Sequence, residues 1–408
     1  MDYLLHKSSA RLVGEIRLSP SKSESNRALL IKALSGRNVK LRNLSDAQDT
    51  RTMNMLLQKN RITSDVIDAG TAMRFLTAWL AVTGRNKIIT GSDRMKQRPI
   101  GPLVNALREI GAEIEYLESE GYPPLKINQI TTQKTSKISI PGNISSQYIS
   151  ALLMIAPCLP KGLQITLTTG VFSKPYIEMT LDLMRAFGAD VKWKGDVISV
   201  KKGDYSEGEY VIEGDWSGAS YWYAFVALSS DEKSSLLLPS LRTYSSQGDR
   251  RISEIMFKLG VVTEFINGKI RLSKKEIEAK QLRLDMRDCP DLAQTVMVVA
   301  AGLGVQIEFT GLQSLKIKET DRIQAMKNEL NKIGADLIEE ENVWHLRPAK
   351  ELPDTIEVET YEDHRMAMAF APLTQQMNVI IREPGVVRKS YPGFWEEVKK
   401  TGVKISPH

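Results

Sequence analysis

Two short segments of this 408-residue chain set carboxylates beside cations, and a third sets a carboxylate at the start of an apolar helix. Asp291 opens the apolar run LAQTVMVVAAGL. Lys318-Glu319-Thr320-Asp321-Arg322 packs opposite charges into five residues, and Glu362-Asp363-His364-Arg365 does the same before another apolar helix. Carboxylates next to Lys, His and Arg supply groups for proton transfer near neutral pH. Structural ion-pair clusters would have the same composition. Asp291 precedes an apolar helix, which places its carboxylate at a buried mouth.

Earlier segments suit anions. In Pro20-Ser21-Lys22-Ser23-Glu24-Ser25-Asn26-Arg27, Lys22 and Ser23 open a helix, and Arg27 lies one turn beyond Ser23 on the same side. A helix start exposes unpaired N–H groups and partial positive charge, and Arg adds a two-pronged contact for a carboxylate or phosphate. Asp68-Ala69-Gly70-Thr71 precedes a helix with Arg74 one turn in, and Gly70 lets a ligand approach the backbone. Ser145-Ser146-Gln147 offers two hydroxyls and an amide. Ser173-Lys174-Pro175-Tyr176 has Pro in the first turn, where its missing N–H costs nothing. Arg94, Lys96 and Arg98 place three cations in one loop. Taken singly, each segment also reads as a plain cap or a solvated face.

The elements that must position these residues repeat. A helix, then Gly, then a strand recurs as LREIGAEIEYL at Gly111, LMRAFGADVKW at Gly188, IMFKLGVVTEF at Gly260, LNKIGADLIEE at Gly334 and VKKTGVKI at Gly402. The interval is roughly 70 residues, longer than a solenoid repeat. Gly at a helix end adopts the left-handed cap without steric cost. A second series keeps the same period: polar starts at Ser23, Thr71, Ser146, Gly218, Asp291 and His364 open helices rich in Ala, Leu and Met. These are six copies of a two-helix unit with strands between. The interval from Ser23 to Thr71 is short by about one hairpin. Helices alternating with strands imply an α/β (α+β) architecture, with two similar domains of three units divided near VIEGDWSGAS.

Composition bounds the rest. The chain is 42% hydrophobic and 25% charged, ordinary for a globular protein with a sizeable core. A net charge of +6 favours anionic partners without naming them. Cys158 and Cys289 show no metal-ligand spacing, and His6, His345, His364 and His408 form no paired motif, so no metal is expected. The N-terminus lacks a signal-peptide pattern. The longest apolar run, near Thr295 to Val305, falls short of the roughly 20 residues a bilayer requires. A cytoplasmic protein without membrane association is expected. Nucleic-acid binding would call for aromatic platforms or a continuous basic stripe, whereas aromatics are 7% and charges are interspersed.

In order along the chain, SKSESNRALL, AGTAMRF, KQRPIGPL, SSQY, SKPY, PDLAQT, KETDRI, EDHRMAM and RKSYPGF resemble the motifs of the 5-enolpyruvylshikimate-3-phosphate synthase family. The resemblance implies an enolpyruvyl transferase fold of two domains. Each would hold three β-α-β-α-β-β units about a pseudo-threefold axis, with the first unit truncated and the active site in the cleft between domains. Residues 1–19 with 214–408 would form one domain and 20–213 the other. It implies transfer of the enolpyruvyl group of phosphoenolpyruvate to shikimate 3-phosphate with release of phosphate and no cofactor; a monomer is expected.

Carried over by motif, Ser23 and Arg27 would hold the shikimate carboxylate, and Ser145, Ser146 and Ser173 its phosphate, with Lys318 nearby. Gln147 and Tyr176 would line the ring site. Lys22, Gly70, Arg98, Arg322, Arg365 and Lys389, with Gln147, would surround phosphoenolpyruvate. Asp291 and Glu319 would transfer protons, and Lys22 and Lys389 would stabilise charge in the intermediate. Departures from the family pattern are the short first unit, Asp68 in place of Asn, and Ser314 in place of Asn; the short unit leaves a non-catalytic relative as an alternative. The related UDP-N-acetylglucosamine enolpyruvyl transferases typically use a loop cysteine, and neither cysteine here lies in such a loop.

Overall fold

The glycines that end the repeated helices share one backbone conformation. Gly111, Gly188, Gly260, Gly334 and Gly402 all have φ between 78° and 128°. At Gly111 a β-carbon would lie 2.4 Å from the Thr132 carbonyl oxygen, so no larger residue fits the turn. Each such turn reverses the chain from a helix into a strand or its approach, which sets the period seen in the sequence.

The computed structural model describes residues 1–58, 61–84, 86–277 and 279–408. Among them the chain forms two compact units, Met1–Ser19 with Glu213–His408, and Pro20–Ile212, and strands form six sheets. The first unit opens with β1 (Tyr3–Leu5) and β2 (Val13–Glu15).

The Pro20–Ile212 unit begins with α1 (Lys22–Ser35), β3 (Val39–Arg42) and α2 (Gln48–Gln58). Its second block runs β4 (Thr63–Asp65), α3 (Gly70–Thr83), β5 (Lys87–Thr90), a short α4 (Asp93–Lys96), α5 (Gly101–Ile110), β6 (Glu113–Tyr116) and β7 (Leu125–Asn128). The third runs β8 (Lys137–Ile140), α6 (Ser146–Ile155), β9 (Leu163–Leu167), α7 (Lys174–Ala186), β10 (Val191–Lys194) and β11 (Val197–Val200), and β12 (Gly208–Val211) closes the unit. The second and third blocks each build a four-stranded sheet, β4-β5-β7-β6 and β8-β9-β11-β10, parallel in the first pair and antiparallel beyond it. Among the described residues the first block has only β3 paired in parallel with β12 and shows no final hairpin, in keeping with the short first interval.

The other unit continues with α8 (Trp216–Leu228), β13 (Ser235–Pro239), α9 (Ile252–Lys258), β14 (Val261–Ile266) and β15 (Lys269–Lys274). Next come β16 (Gln281–Asp285), α10 (Ala293–Leu303), β17 (Gln306–Thr310), α11 (Arg322–Asn331), β18 (Asp336–Glu340) and β19 (Val343–Arg347). The last block is β20 (Thr355–Val358), α12 (His364–Phe370), β21 (Asn378–Ile381), α13 (Phe394–Lys400) and β22 (Ile405–Pro407). Here the N-terminal strands complete two sheets: β2 pairs with β13, and β1 lies between β21 and β22. Glu213, 3% exposed, accepts hydrogen bonds from Trp216 Nε1 (2.8 Å), the Arg242 backbone (2.8 Å) and Gln247 Nε2 (3.1 Å), which ties the start of this return to its unit.

Each unit has its own apolar core. The helices divide by burial. In α6, α8, α10 and α12 nearly every residue is buried, as expected for helices apolar all round. Such a helix meets polar partners mainly at its ends, where its first N–H groups lack intrahelical acceptors. The outer helices α2, α5, α7 and α11 bury one face only. No described helix is long and apolar enough to cross a membrane.

Candidate active site

In the Pro20–Ile212 unit, side chains tie together the starts of α1, α3, α6 and α7. Gln147 Nε2 of α6 donates to Thr71 Oγ1 of α3 at 3.1 Å. Arg27 of α1, 2% exposed, donates to Thr180 Oγ1 (2.7 Å) and the Tyr176 carbonyl (3.2 Å) of α7, to Ser150 Oγ of α6 (3.2 Å) and to the Ser23 carbonyl (2.9 Å). Its guanidinium carbon lies 5.4 and 5.9 Å from the ring centroids of Phe75 and Tyr176. Burial lowers its pKa to about 10, with Tyr176 and Glu24 opposing, so it stays charged at neutral pH. One of the five N–H donors of a guanidinium is left for a ligand. Arg27 thus clasps three helices together, a role its spacing from Ser23 did not reveal.

Arg98 differs. It is 8% exposed, and its Nε has no hydrogen-bond partner among the described residues. Its guanidinium lies across Gly70, the first residue of α3: a β-carbon there would be 2.6 Å from both Nη1 and Nη2. The loop carrying it is anchored at Pro99, whose carbonyl accepts from Arg74 Nη2 (2.8 Å) and Tyr148 Oη (2.5 Å). A cation therefore sits against the positive end of a helix dipole, an arrangement an anion would relieve. Asp68, just upstream, accepts from the Ser92 hydroxyl.

Lys22, at the first position of α1, pairs with Asp49 Oδ2 at 3.0 Å. Ser145 caps α6 through the Gln147 backbone N–H at 3.4 Å, and Ser146 follows it, buried. Ser173 begins α7 in a left-handed conformation (φ 54°) with its hydroxyl making no cap to the helix. Strain of this kind in a non-glycine residue clusters at functional sites.

In the other unit the three acid–base segments converge. Asp291 Oδ1 lies 3.0 Å from Arg322 Nη1 and 3.7 Å from Lys318 Nζ, and its Oδ2 lies 2.9 Å from Arg365 Nη2. Arg365 Nη1 also donates to the Asp291 carbonyl at 3.2 Å. Burial alone would raise the Asp291 pKa, but Arg365, Lys318 and Arg322 outweigh it and hold the carboxyl well below the usual range. Glu319 Oε2 accepts from Arg322 Nη2 at 2.8 Å. Ser314, half-buried, lies in the turn that leads into Lys318.

Arg322 is 2% exposed and also grips Asp363, which is fully buried, through Nε at 2.6 Å. Burial would lower its pKa, but Asp363, Glu319 and Asp291 raise it above the ordinary arginine range. Lys389 Nζ donates to the Glu362 carbonyl at 2.9 Å, beside the start of α12.

Two acids in this cluster were not singled out from the sequence as site residues. Asp363 caps α12 through the Arg365 N–H (2.8 Å) while holding Arg322. Asp249, 2% exposed, accepts from the Ser217 hydroxyl at the start of α8. The run Gln247-Gly248-Asp249-Arg250-Arg251 has the same acid-beside-arginine composition as the other segments. It precedes a short, half-exposed helix, so the apolar-helix signal was absent.

The family model for EPSP synthase (3-phosphoshikimate 1-carboxyvinyltransferase) matches residues 6–67 and 58–398. The match breaks within the stretch that follows α2, in the block with the two-stranded sheet. A relative named 3-phosphoshikimate 1-carboxyvinyltransferase, from Bacteroides fragilis (strain YCH46), is 48% identical over 412 residues, covering 99% of each chain. One of the same name from Mannheimia haemolytica is 36% identical, covering 97% of this chain and 98% of its own. Among solved structures, EPSP synthase from Acinetobacter baumannii shares the fold with a TM-score of 0.79 at 21% identity over the whole of both chains. The enolpyruvyl transferase NikO from Streptomyces tendae does so with a TM-score of 0.75 at 12% identity, over 99% of this chain and 98% of its own. The ordered motifs, the fold and these matches along the whole length agree, and the chain belongs to the EPSP synthase family.

Proposed function

We infer that the protein transfers the enolpyruvyl group of phosphoenolpyruvate to the 5-hydroxyl of shikimate 3-phosphate and releases phosphate. The observation that carries this reading is Asp291, a carboxylate kept ionised among Arg322, Arg365 and Lys318. Arg98 across the start of α3 supports it as a second anion-seeking group.

In the first step the 5-hydroxyl oxygen bonds to C2 of phosphoenolpyruvate. Its proton passes to Asp291, and the methylene carbon takes a proton from Glu319. In the second step the new methyl group returns a proton to Glu319, the C2–O bond to phosphate breaks, the enol ether forms, and the hydroxyl proton held by Asp291 leaves with the departing phosphate. Lys22 and Lys389 stabilise charge on the tetrahedral intermediate. Asp291 is a weak base while three cations face it. A phosphate and a carboxylate arriving at Arg322, Arg365 and Lys318 would offset those cations and raise its basicity. Binding and activation are thereby linked.

Ser23 and the remaining N–H of Arg27 hold the shikimate carboxylate, Gln147 and Tyr176 line the ring, and Ser145, Ser146, Ser173 and Lys318 take its phosphate. Gly70, Arg98, Gln147, Arg322, Arg365, Lys22 and Lys389 surround phosphoenolpyruvate. The short first block is compatible with activity, since the Bacteroides fragilis relative matches this chain over 99% of both lengths and carries the enzyme's name. The protein works as a monomer in the cytoplasm, because one chain supplies both clusters and membranes retain phosphorylated substrates. Light scattering at twice the chain mass would contradict the monomer.

The test is phosphate release with both substrates present and with each omitted in turn. Release that depends on both is expected. Folded protein that releases none with both present would refute the reading.

A further inference from the structure

Asp249 has no part in the chemistry above, yet one line of hydrogen bonds joins it to Asp291. Its carboxylate accepts from the Ser217 hydroxyl. The Ser217 oxygen lies 3.5 Å from Arg365 Nη2, and that nitrogen donates to Asp291 Oδ2 at 2.9 Å. Ser217 is held firmly, because Asp215 caps α8 by accepting from the Ser217 and Gly218 backbone N–H groups at 2.8 and 3.3 Å. The relay runs from the turn Gly248–Arg251 through α8 and α12 to the mouth of α10 within one unit.

We propose that Asp249 is a positioning residue for phosphoenolpyruvate: in its neutral form it holds Arg365, through Ser217, oriented and electrostatically available to the anion. The proposal rests on the reading of Arg365 as a phosphoenolpyruvate ligand. The charge balance supports it. Lys318, Arg322 and Arg365 face Asp291, Glu319 and Asp363 in equal number. An ionised Asp249 would add an uncompensated negative charge behind Arg365 and weaken its pull on an incoming phosphate.

The groups facing Asp249 are Asp291 and Cys289 ahead of α10, Arg365 on α12, and Asp215 and Ser217 at the start of α8. On its own turn, Arg250 acts on Tyr223, and Arg251 donates to the Asp285 carbonyl at 2.5 Å. Burial, then the charge on Asp291, push the Asp249 carboxyl up to about 7, against Arg365 and the Ser217 hydrogen bond. Asp249 therefore loses its proton close to neutrality, and phosphoenolpyruvate binding should weaken as it does.

The experiment measures kcat and KM for phosphoenolpyruvate by phosphate release from pH 6 to 9, at saturating shikimate 3-phosphate. It compares the wild type, Asp249→Asn and Ser217→Ala. Asparagine stays neutral and can still accept the Ser217 hydroxyl. The wild-type KM should rise about tenfold from pH 6 to pH 8.5 relative to that of Asp249→Asn, a coupling of ordinary size between a proton and a ligand. Ser217→Ala cuts the relay without touching either carboxyl. It should raise KM at pH 6 about threefold or more, with a smaller change in kcat. Parallel KM profiles for the wild type and Asp249→Asn, or an unchanged KM in Ser217→Ala, would overturn the proposal. Wild-type protein that releases no phosphate would instead remove the reaction assignment beneath it.

Discussion

The guanidinium of Arg98 occupies the space that a side chain on Gly70 would need, with both terminal nitrogens 2.6 Å from the position of its β-carbon. The φ of Gly70 is not in the left-handed region, so alanine suits the helix but not the neighbour. Gly70→Ala should leave the melting temperature nearly unchanged and push Arg98 off the start of α3. We expect KM for phosphoenolpyruvate to rise about tenfold to a hundredfold, the scale of an ångström-sized misplacement. Steady-state kinetics with each substrate varied in turn checks this, and an unchanged KM would show that Arg98 does not bind there.

Asp291→Asn removes the proposed proton acceptor and the anion that three cations share. Turnover should fall about 10²- to 10⁴-fold, the usual contribution of a general base. Phosphoenolpyruvate should bind at least as tightly, since Arg365, Arg322 and Lys318 lose a competing carboxylate. Single-turnover rates with titration calorimetry separate the two effects. Near-normal turnover in the folded variant would refute the assignment.

Arg322 and Asp363 form a pair shielded from solvent, at 2.6 Å through Nε. Removing one partner strands the other charge. Arg322→Met should cost about 3–5 kcal/mol in urea unfolding, and neutralising Asp363 as well should recover part of that loss. A single variant within about 1 kcal/mol of wild type would place the pair among weak surface bridges.

Asp249 also predicts a pH dependence of stability. Its folded pKa, raised to about 7 chiefly by burial, lies above the unfolded value of 3.8. Between these values the unfolded chain releases a proton that the folded chain keeps. The associated stability is therefore fully present below 3.8, declines as pH rises, and is lost above about 7. Asp249→Asn lacks this decline. The melting temperature of the variant relative to wild type should climb from pH 5 to pH 7 and then level off. A constant difference across that range would contradict it.

Much of the scaffold was legible in the sequence because it is local. Gly111 and Gly188 mark helix ends through a backbone conformation that glycine favours. The short interval before Thr71 corresponds to a sheet of two strands, β3 and β12, where the other blocks have four. What stayed hidden depends on pairings distant along the chain. Nothing near Tyr3 announces that it pairs with Ile381. The spacing of Arg27 from Ser23 suggests a ligand group, and does not show that Ser150 and Thr180 close around it. Arg322 looked like one member of a charge run, yet its deepest partner is Asp363, on another helix start. Burial of charge follows from how the helices pack, and spacing within a helix does not report it.

The most direct test of the account is phosphorus NMR of purified protein mixed with phosphoenolpyruvate and shikimate 3-phosphate. The account predicts that the phosphoenolpyruvate signal disappears while inorganic phosphate and one new sugar-phosphate-like resonance grow in equal amounts, with the 5-oxygen carrying the enol ether. Phosphate appearing without that product, or both substrates persisting unchanged with folded protein, would contradict it.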